Sequence, residues 1–548
     1  MCRRTLVFIA ASLIALSGCK GSISLAPSPA WEPRTELDEE LQGLPPAVVP
    51  PPSEEIFAFL PRRVRRLTNA ELGRAISDIS GQSVDIVGRF PDDARQRYFR
   101  LNDQQIVDPL WASALSEVAK EVADDVAAGG FRGIVRCDER NRACAEQSVR
   151  AFTERAWRRP VEQDELASLM ELWELGDGIG GFDTGMTWVV EGALQAPGFV
   201  YTMELGDSRT DAGTLVLSPW EVAAQLAFVT TGNPPDDLLV QAASDRSILE
   251  SGVRAEHARR LLDTPEGKLQ VREFVMQWLG LDKLSQISKD PNEYPEFMAL
   301  QSAIIEEAED FIDDLVAQGG GVEDLLGASH TIVKDQRLAQ FYGLDSTGRQ
   351  DLSGTPRRGI LSQAGFLAAH SNPGDSGPIE RGVSVIERVL CVELLTPGEL
   401  NIQVVPPEPD PNATTRERFA AHVADPMCAG CHAGIDGIGF AFEHFDPVGR
   451  LRQQEHNKPV DTSGQLLFSE ASGPYPSSLE MIQAIAPTET ARQCFARNVF
   501  GFASARDDEE VAHSFETLWA SKAPTGDRLD DALVVFIASD LFIHRSSE

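Results

Sequence analysis

The chain has 548 residues, of which 42% are hydrophobic and 7% aromatic, so it is long enough for several domains with sizeable cores. It carries 49 Lys and Arg residues against 84 Asp and Glu residues, which gives a formal net charge of -35. This charge repels nucleic acid and anionic lipid headgroups, so we expect no nucleic-acid partner and favour a basic protein partner.

The first residues have the pattern of an export signal. Arg3 and Arg4 precede a mostly apolar run over residues 6–16, and the sequence LSGC follows. This ending resembles a bacterial lipobox, which predicts cleavage before Cys19 and lipidation of that cysteine; a plain signal peptide with a coincidental cysteine is the alternative. No later segment reaches the roughly 18 apolar residues of a membrane span. We therefore expect an exported outer-membrane lipoprotein, held to the membrane by acyl chains only and facing the periplasm or the cell surface.

A proline-rich stretch over residues 20–60 lacks apolar periodicity and is typical of an extended tether. Folding should start near Pro61, because apolar residues then recur at helical spacing, as in LTNAELGRAISDIS with Thr68 or Asn69 as the N-cap. Sustained alternation of apolar and polar residues is scarce. The sequence therefore predicts a mainly α fold with several helical domains in series.

Clusters of Gly, Pro, Ser and Asp near residues 205–214, 344–356 and 396–415 mark the predicted breaks between domains. The predicted organisation is a signal peptide (1–18), a tether (19–60), an N-terminal helical domain (61–130), a second helical domain (131–205), a central helical domain (214–345), a domain with a C-x-x-C-H motif (356–456) and a C-terminal helical domain (457–548).

The segment LAAHSNPGDSGP, residues 367–378, contains a GDSGP sequence like that around the nucleophile of serine proteases. Its histidine, His370, lies only six residues before Ser376, whereas the histidine of such a triad comes from a distant part of a β-barrel. No barrel is indicated by the sequence. The segment is therefore interpreted as a turn, and a hydrolase is not expected.

The segment DPMCAGCHAGIDGIGFAFEHFDPVGR contains a C-x-x-C-H pentad at residues 428–432. Two thiols three positions apart lie near one another on a helical turn, where each can add to a haem vinyl group while the adjacent histidine reaches the iron. The pentad predicts one covalent haem c held by Cys428, Cys431 and His432. A disulfide between the two cysteines and half of a zinc site are the alternatives, although no second C-x-x-C or H-x-x-x-H motif supplies further zinc ligands.

The remaining cysteines can be paired by counting. Cys2 is removed with the signal and Cys19 is lipidated, so a haem on the pentad leaves four thiols in an oxidising compartment. Two of them flank the short polar loop DERNRA, and the other two pair by elimination. The predicted disulfides are Cys137–Cys144 and Cys391–Cys494.

Three polar residues follow the pentad closely. Glu443 and Asp446 could form an acid and base pair, but at a helix end such residues more often cap and face solvent. Arg450 could pair with a haem propionate, and a simple surface arginine is the alternative.

Several segments, in order, resemble one family of exported bacterial proteins. The segments include VRRLTNAELGRAISDISG, AFTERAWRRPVEQDEL, LSPWEVAAQLAFVTTGNPPDDLL, RGILSQAGFLAAHSNPGDSGPIERGVSVIERVLC and the pentad segment itself. The chain resembles the family of domains of unknown function 1587, 1595, 1592, 1588 and 1585, abundant in planctomycetes and myxobacteria, over nearly all of residues 61–548. The resemblance implies a cytochrome-c-like helical segment around the pentad and places His422 in an H-x-x-D-P-x-C pattern. It departs where Gly437 replaces a usual proline, where His444 replaces a common asparagine and where Met481 replaces a common leucine.

The sixth iron ligand stays open among Met481, His422, His444, His456 or none. Met481 lies on the flank of an apolar helical stripe in SSLEMIQAIA, where methionine is more often core filler, and this interpretation is preferred. His422 lies ten residues before His432 and could instead be a core or capping histidine.

Two functions follow from the sequence. The first is a lipid-anchored c-type haem protein that transfers electrons or supports an exported oxidoreductase, with a redox partner of basic charge. The second is a helical interaction scaffold that binds a partner or a polysaccharide, in which the disulfides are only structural. Whether the protein is an enzyme is left open.

Overall fold

The structure, a computed structural model, describes residues 49, 58–395, 398–399, 410, 412–419, 426–522 and 528–547, with the side chains of residues 426–431 excepted. The predicted signal peptide, Cys19, most of the predicted tether and His422 lie outside the described residues. The helix backbone at Cys428 and Cys431 is described, whereas their side chains are not.

The described chain is mainly helical, as predicted. The helices up to residue 318 are α1 (Asn69–Ser80), α2 (Pro109–Ala128), α3 (Arg142–Trp157), α4 (Gln163–Gly180), α5 (Phe182–Gln195), α6 (Pro197–Val200), α7 (Pro219–Thr231), α8 (Asp237–Ser244), α9 (Ser251–Leu262), α10 (Pro265–Trp278) and α11 (Phe297–Gln318).

The later helices are shorter on average and include the one that carries the pentad. They are α12 (Val322–Gly327), α13 (Gln336–Tyr342), α14 (Ala364–Ala369), α15 (Pro378–Arg388), α16 (Thr415–Phe419), α17 (Pro426–Gly439), α18 (Ser478–Ile485), α19 (Glu489–Ser504), α20 (Glu509–Lys522), α21 (Asp531–Ala538) and α22 (Asp540–Ile543). Single 3₁₀ turns occur at Ser247–Leu249, Leu284–Gln286, Ile360–Ser362 and Phe440–Phe442.

Local sequence signals begin and end these helices. Thr68 caps α1 through a capping box with Glu71, and Gly81 ends the helix with φ of 69°. The side chain of Thr68 accepts a hydrogen bond from the backbone of Glu71, which satisfies one of the amides that a helix start leaves unpaired. Of the two predicted N-cap residues for this helix, Thr68 is therefore the one used.

The strands are short and pair antiparallel. They are β1 (Arg63–Arg66), β2 (Tyr201–Glu204), β3 (Ser208–Arg209), β4 (Leu215–Val216), β5 (His330–Val333), β6 (Gly348–Asp351), β7 (Gln454–Glu455), β8 (Lys458–Pro459), β9 (Gly464–Leu466), β10 (Gly473–Tyr475) and β11 (His544–Arg545). The pairs are β1 with β2, β5 with β6, β7 with β8 and β9 with β10, while β4 lies between β3 and β11. The predicted breaks at residues 205–214 and 344–356 contain β3 and β6.

Two hydrophobic cores organise the described chain. The first contains buried residues from Leu67 to Val200 together with Phe228 of α7. The second extends from Val216 to Ile543 and also contains Leu60, together with Tyr98 and Phe99 from the loop between α1 and α2. Each core draws residues from more than one predicted domain, and the predicted domain boundaries stay predictions. In the described part of the chain, no helix combines the length and the apolar character that crossing a membrane requires.

Candidate functional site

Helix α17 carries the pentad close to its start. It begins at Pro426, a residue that suits a first helical turn because its missing N–H would have no intrahelical partner. Cys431 and His432 follow Cys428 by three and four positions on this helix, so the Cα atoms of all three residues lie along one face of it. The predicted helical setting of the pentad is therefore present.

His432 is held by an acidic residue that the sequence analysis did not identify. The Nδ1 atom of His432 lies 2.9 Å from Oδ1 of Asp436, one turn later on the same helix. Asp436 is 3% exposed, and its Oδ2 atom has no hydrogen-bond partner among the described residues. The signal was present in the sequence, because a histidine followed four residues later by an aspartate places both side chains on one helix face.

Helix α15 packs directly against α17. A Cβ atom on Gly382 would collide with the carbonyl oxygen of Ile435, and one on Gly439 would collide with the carbonyl oxygen of Pro378. The two helices run antiparallel, because the start of α15 lies beside the end of α17. Glycine at these two positions therefore allows the backbones to approach more closely than any side chain would permit.

The opposite side of α17 contacts β9 and the loop that follows it. A Cβ atom on Gly437 would lie 2.6 Å from the carbonyl oxygen of Gln465, and one on Gly434 would lie 2.8 Å from the ring of Phe468. Phe468 has φ of 70° and is 44% exposed. A bulky residue with positive φ is uncommon, and here it lays an aromatic ring against the pentad helix.

Met481 belongs to the core on the side of α17 away from His432. It is fully buried. A Cβ atom on Gly464 would lie 2.9 Å from Cε of Met481 and 2.5 Å from the carbonyl oxygen of Gly437, so Met481 packs close to this part of α17. Gly437 follows His432 by five residues, which places the two about 140° apart around the helix. This position supports the interpretation of Met481 as core filler.

The other described candidates for a sixth ligand are His444 and His456. His444 follows the 3₁₀ turn after α17 and is 7% exposed, with Nε2 3.4 Å from the hydroxyl of Ser478. Burial lowers the pKa of His444 to about 4, so it is neutral at physiological pH. His456 is exposed at the two-residue tip between β7 and β8.

The GDSGP segment contains no catalytic triad. The Ser376 hydroxyl donates to Glu443 Oε1 at 2.7 Å, whereas His370 contacts Ser384 Oγ at 2.7 Å and the carbonyl of Leu279 at 2.8 Å. Burial lowers the pKa of His370 well below its usual value. The histidine and the serine thus have separate structural partners, in agreement with the interpretation of the segment as a turn.

Of the two acids after the pentad, Asp446 caps a turn as predicted, but neither acid faces solvent, since Asp446 is 7% exposed and Glu443 is 1% exposed. Asp446 Oδ1 accepts from the backbone N–H groups of Val448 at 3.0 Å and Arg450 at 2.7 Å, so it caps a turn. Glu443 does not face solvent: it is 1% exposed and pairs with Arg452 at 2.8 Å. The expectation of a solvated Glu443 was wrong, because a partly buried arginine partner compensates for the loss of water.

Arg450 lies on the surface and already has partners. Its guanidinium forms an ion pair with Glu296 and lies 5.4 Å from the ring centroid of Phe341. The side chain remains 46% exposed. Its pairing with a haem propionate stays a prediction.

Lys289 is a buried lysine beside the GDSGP segment, and the sequence did not predict its role. Lys289 Nζ donates to Ser371 Oγ at 2.6 Å and to the carbonyls of Ser371 and Asn372. Burial lowers the pKa of Lys289 to about 7. The Ser371 hydroxyl itself donates to the carbonyl of Pro447 at 2.7 Å, so the lysine ties three backbone segments together. No local pattern around Lys289 indicates this long-range contact.

Both predicted disulfides are present. Cys137 is bonded to Cys144 with Cα atoms 5.9 Å apart, and Cys391 is bonded to Cys494 with Cα atoms 5.2 Å apart. The second bond ties the end of α15 to α19 across 103 residues. Within the described ranges, no group of three or more His, Cys, Asp and Glu side chains could hold a metal ion.

Comparison with known protein families gives four matches in chain order. Residues 65–128 match PSD3, protein of unknown function (DUF1587), and residues 144–204 match PSD5, protein of unknown function (DUF1595). Residues 217–344 match PSD4, protein of unknown function (DUF1592), and residues 357–455 match PSCyt3, protein of unknown function (DUF1588). The last match contains the pentad helix, and its short name indicates a cytochrome-like segment. No curated protein and no solved structure matches the chain.

Proposed function

The chain belongs to the multi-segment family in which domains of unknown function 1587, 1595, 1592 and 1588 follow one another, and from this membership we propose that its pentad helix carries one covalent haem c. Thioether bonds to Cys428 and Cys431 would attach the group, and His432 would bind the iron. Bound haem would supply reversible one-electron transfer. The protein would thus pass electrons between partners or support an exported oxidoreductase.

The contact between His432 and Asp436 is the observation that supports this proposal most. A histidine that donates its Nδ1 proton to a carboxylate is fixed in one ring orientation and binds metal through Nε2. Metal-binding histidines in proteins almost always have such a second partner. The donor set of two cysteines and a histidine on one helix face therefore fits a c-type haem.

The two disulfides bear on the alternative scaffold function. They use Cys137, Cys144, Cys391 and Cys494, so none of these four can pair with a pentad cysteine. The competing arrangement is then a bond between Cys428 and Cys431 themselves.

Haem staining on a denaturing gel, with a pyridine haemochrome spectrum, tests the proposal on protein made with c-type maturation machinery. We expect the wild type to stain, Cys428→Ala and Cys431→Ala to lose or nearly lose the stain, and His432→Ala to lose the iron ligand. The double variant Cys137→Ala/Cys144→Ala removes two thiols elsewhere and should keep the stain. An unstained wild type with a Cys428–Cys431 bond in non-reducing peptide maps would favour the scaffold.

We also propose that acyl chains on Cys19 hold the protein to the outer membrane. The basis is the sequence alone, namely the arginine pair, the apolar run and LSGC. Cys19→Ala should leave the protein out of the membrane fraction, whereas Cys2→Ala, a change within the removed signal, should not. Sedimentation of Cys19→Ala with salt-washed membranes would contradict the anchor.

The redox partner that we propose is a basic protein. The formal charge of -35 attracts cations at long range, and salt screens that attraction. With a basic cytochrome as a probe, the bimolecular rate of electron exchange should fall steeply as ionic strength rises. A rate that does not change with salt would contradict a charge-guided encounter.

A further inference from the structure

Asp436 is a buried carboxylate with a single hydrogen-bond partner among the described residues. Its Oδ1 atom contacts Nδ1 of His432 at 2.9 Å, and its Oδ2 atom contacts no described donor although it is buried. The residue as a whole is 3% exposed. Burying a carboxylate removes strong hydration, and a single hydrogen-bond partner compensates for only part of that cost.

Nothing about the position of Asp436 in helix α17 favours an acidic residue. It lies near the end of α17, where the negative end of the helix dipole disfavours an anion. The structure assigns it no arginine or lysine partner among the described residues, in contrast to Glu443, which pairs with Arg452. What Asp436 does contact is the one imidazole of the pentad. An aspartate that is costly for folding, and that contacts a ligand histidine, is best explained by its effect on that histidine.

We infer that Asp436 is a positioning residue that makes His432 a stronger electron donor to iron. This inference rests on the proposed haem. The carboxylate accepts the Nδ1 proton, holds the ring with Nε2 directed away from Asp436, and increases the negative charge of the imidazole. A more negative histidine ligand would stabilise ferric over ferrous iron, so the protein should have a lower reduction potential than a variant with a neutral partner at residue 436.

The first experiment measures the reduction potential of the haem-loaded full chain for the wild type and for Asp436→Asn. Asparagine has nearly the same shape and keeps an acceptor oxygen, but it lacks the charge. We expect a shift of the midpoint potential to a more positive value with an unchanged haem content per protein. The control is Asp461→Asn, which removes one charge from an exposed aspartate in the loop between β8 and β9. An equal potential in wild type and Asp436→Asn would overturn the inference, and so would an equal shift in Asp461→Asn.

A second measurement needs no haem. The chain has 9 histidines, so selective ¹⁵N-histidine labelling of haem-free protein gives few signals, and His432→Gln identifies the one that matters. We expect the neutral ring of His432 to carry its proton on Nδ1, the tautomer that free histidine disfavours, and Asp436→Ala to remove that preference. A neutral wild-type ring with its proton on Nε2 would overturn the inference even if Asp436→Asn failed to fold.

The two experiments separate this inference from the proposed function. A wild type without haem stain contradicts the proposed function and leaves the tautomer measurement to decide the role of Asp436. Normal haem content with an unmoved potential contradicts the inference alone.

Discussion

Buried arginines in this protein bind backbone carbonyl groups more often than carboxylates. Arg381 of α15 is fully buried and donates to the carbonyls of Phe445 at 2.9 Å, Asp446 at 2.7 Å and Leu367 at 3.2 Å. Burial lowers the pKa of Arg381 to about 10, so it remains charged at neutral pH. The residue thus joins the start of α15 to the segment that follows the pentad helix. These contacts to Phe445 and Asp446 join residues 64 and 65 positions apart, so no local sequence pattern predicts the role of Arg381.

Met481 gives a prediction at the same scale. We expect Met481→Ala to leave the ligand field of the proposed haem, in its oxidised state, unchanged, because the side chain packs on the side of α17 away from His432. The variant should nevertheless lose about 2 to 5 kcal/mol of unfolding free energy through the cavity it creates. The two readouts are the near-infrared charge-transfer band of sulfur-ligated ferric haem and a denaturant titration. Loss of a band that the wild type has would make Met481 the ligand.

At the scale of elements, the contact between α15 and α17 depends on glycine. Gly382→Ala should destabilise the protein by about 1 to 3 kcal/mol, although alanine favours helices, because its Cβ atom would collide with the carbonyl of Ile435. Gly374→Ala is the matched control, since its Cβ atom would have nothing within 4 Å. Thermal unfolding measures both. Equal midpoints for the two variants would contradict direct backbone packing of these helices.

The two disulfides should differ in their contribution to stability. In the chain-entropy account, closing a long loop restricts the unfolded chain more than closing a short one. Replacing Cys391 and Cys494 with alanine should therefore cost about 2 kcal/mol more than replacing Cys137 and Cys144, since the sequence separations are 103 and 7. Denaturant titration of the two double variants measures the difference. A larger loss of unfolding free energy on removal of the Cys137–Cys144 bond would show that native packing, and not loop length, determines how much each disulfide stabilises the protein.

How far these elements could be predicted depends on how local their signals are. The helix over residues 69–80 follows from its cap and its apolar spacing, and both disulfides follow from counting thiols. The pairing of β1 with β2 joins residues about 140 positions apart through four-residue strands, which are too short for an alternating pattern to stand out. In the candidate site, the sequence predicts the pentad, because its residues are adjacent in the chain. The burial of Asp436 depends on how other elements pack around α17, so the sequence does not predict it.

At the scale of the whole molecule, one carboxylate connects three distant segments. Glu204 of β2 forms ion pairs with Arg63 of β1 and Arg545 of β11, and all three side chains are nearly inaccessible to water. Burial alone would raise the pKa of Glu204, but the two arginines outweigh it and hold the pKa at about 2. The group therefore stays ionised over the whole physiological range.

Glu204→Gln should destabilise the protein at neutral pH by about 3 to 5 kcal/mol, because it leaves two buried guanidinium groups with a neutral partner. The pKa of Glu204 is lower in the folded state than in the unfolded state, where a glutamate titrates near about 4.3. The stabilisation is thus present above that pH and declines as the pH falls toward about 2. Unfolding free energies of wild type and variant should converge in acid. A constant difference between pH 6 and pH 3 would contradict the ion pairs as its source.

The same region brings the two ends of the described fold together. The backbone N–H of Ser546 donates to the carbonyl of Leu60 at 2.9 Å, and Pro61 forms a bridge with Ser546. A linker of a few residues between these positions would close the backbone into a ring without stretching it. New termini could then be opened in the exposed turn at residues 345–347, which gives a circular permutant with the same contacts in a different chain order. Because the pentad would then lie nearer the new N-terminus, such a permutant, with the signal peptide placed at that terminus, would test whether the proposed haem attachment depends on the order in which the segments emerge during the proposed export.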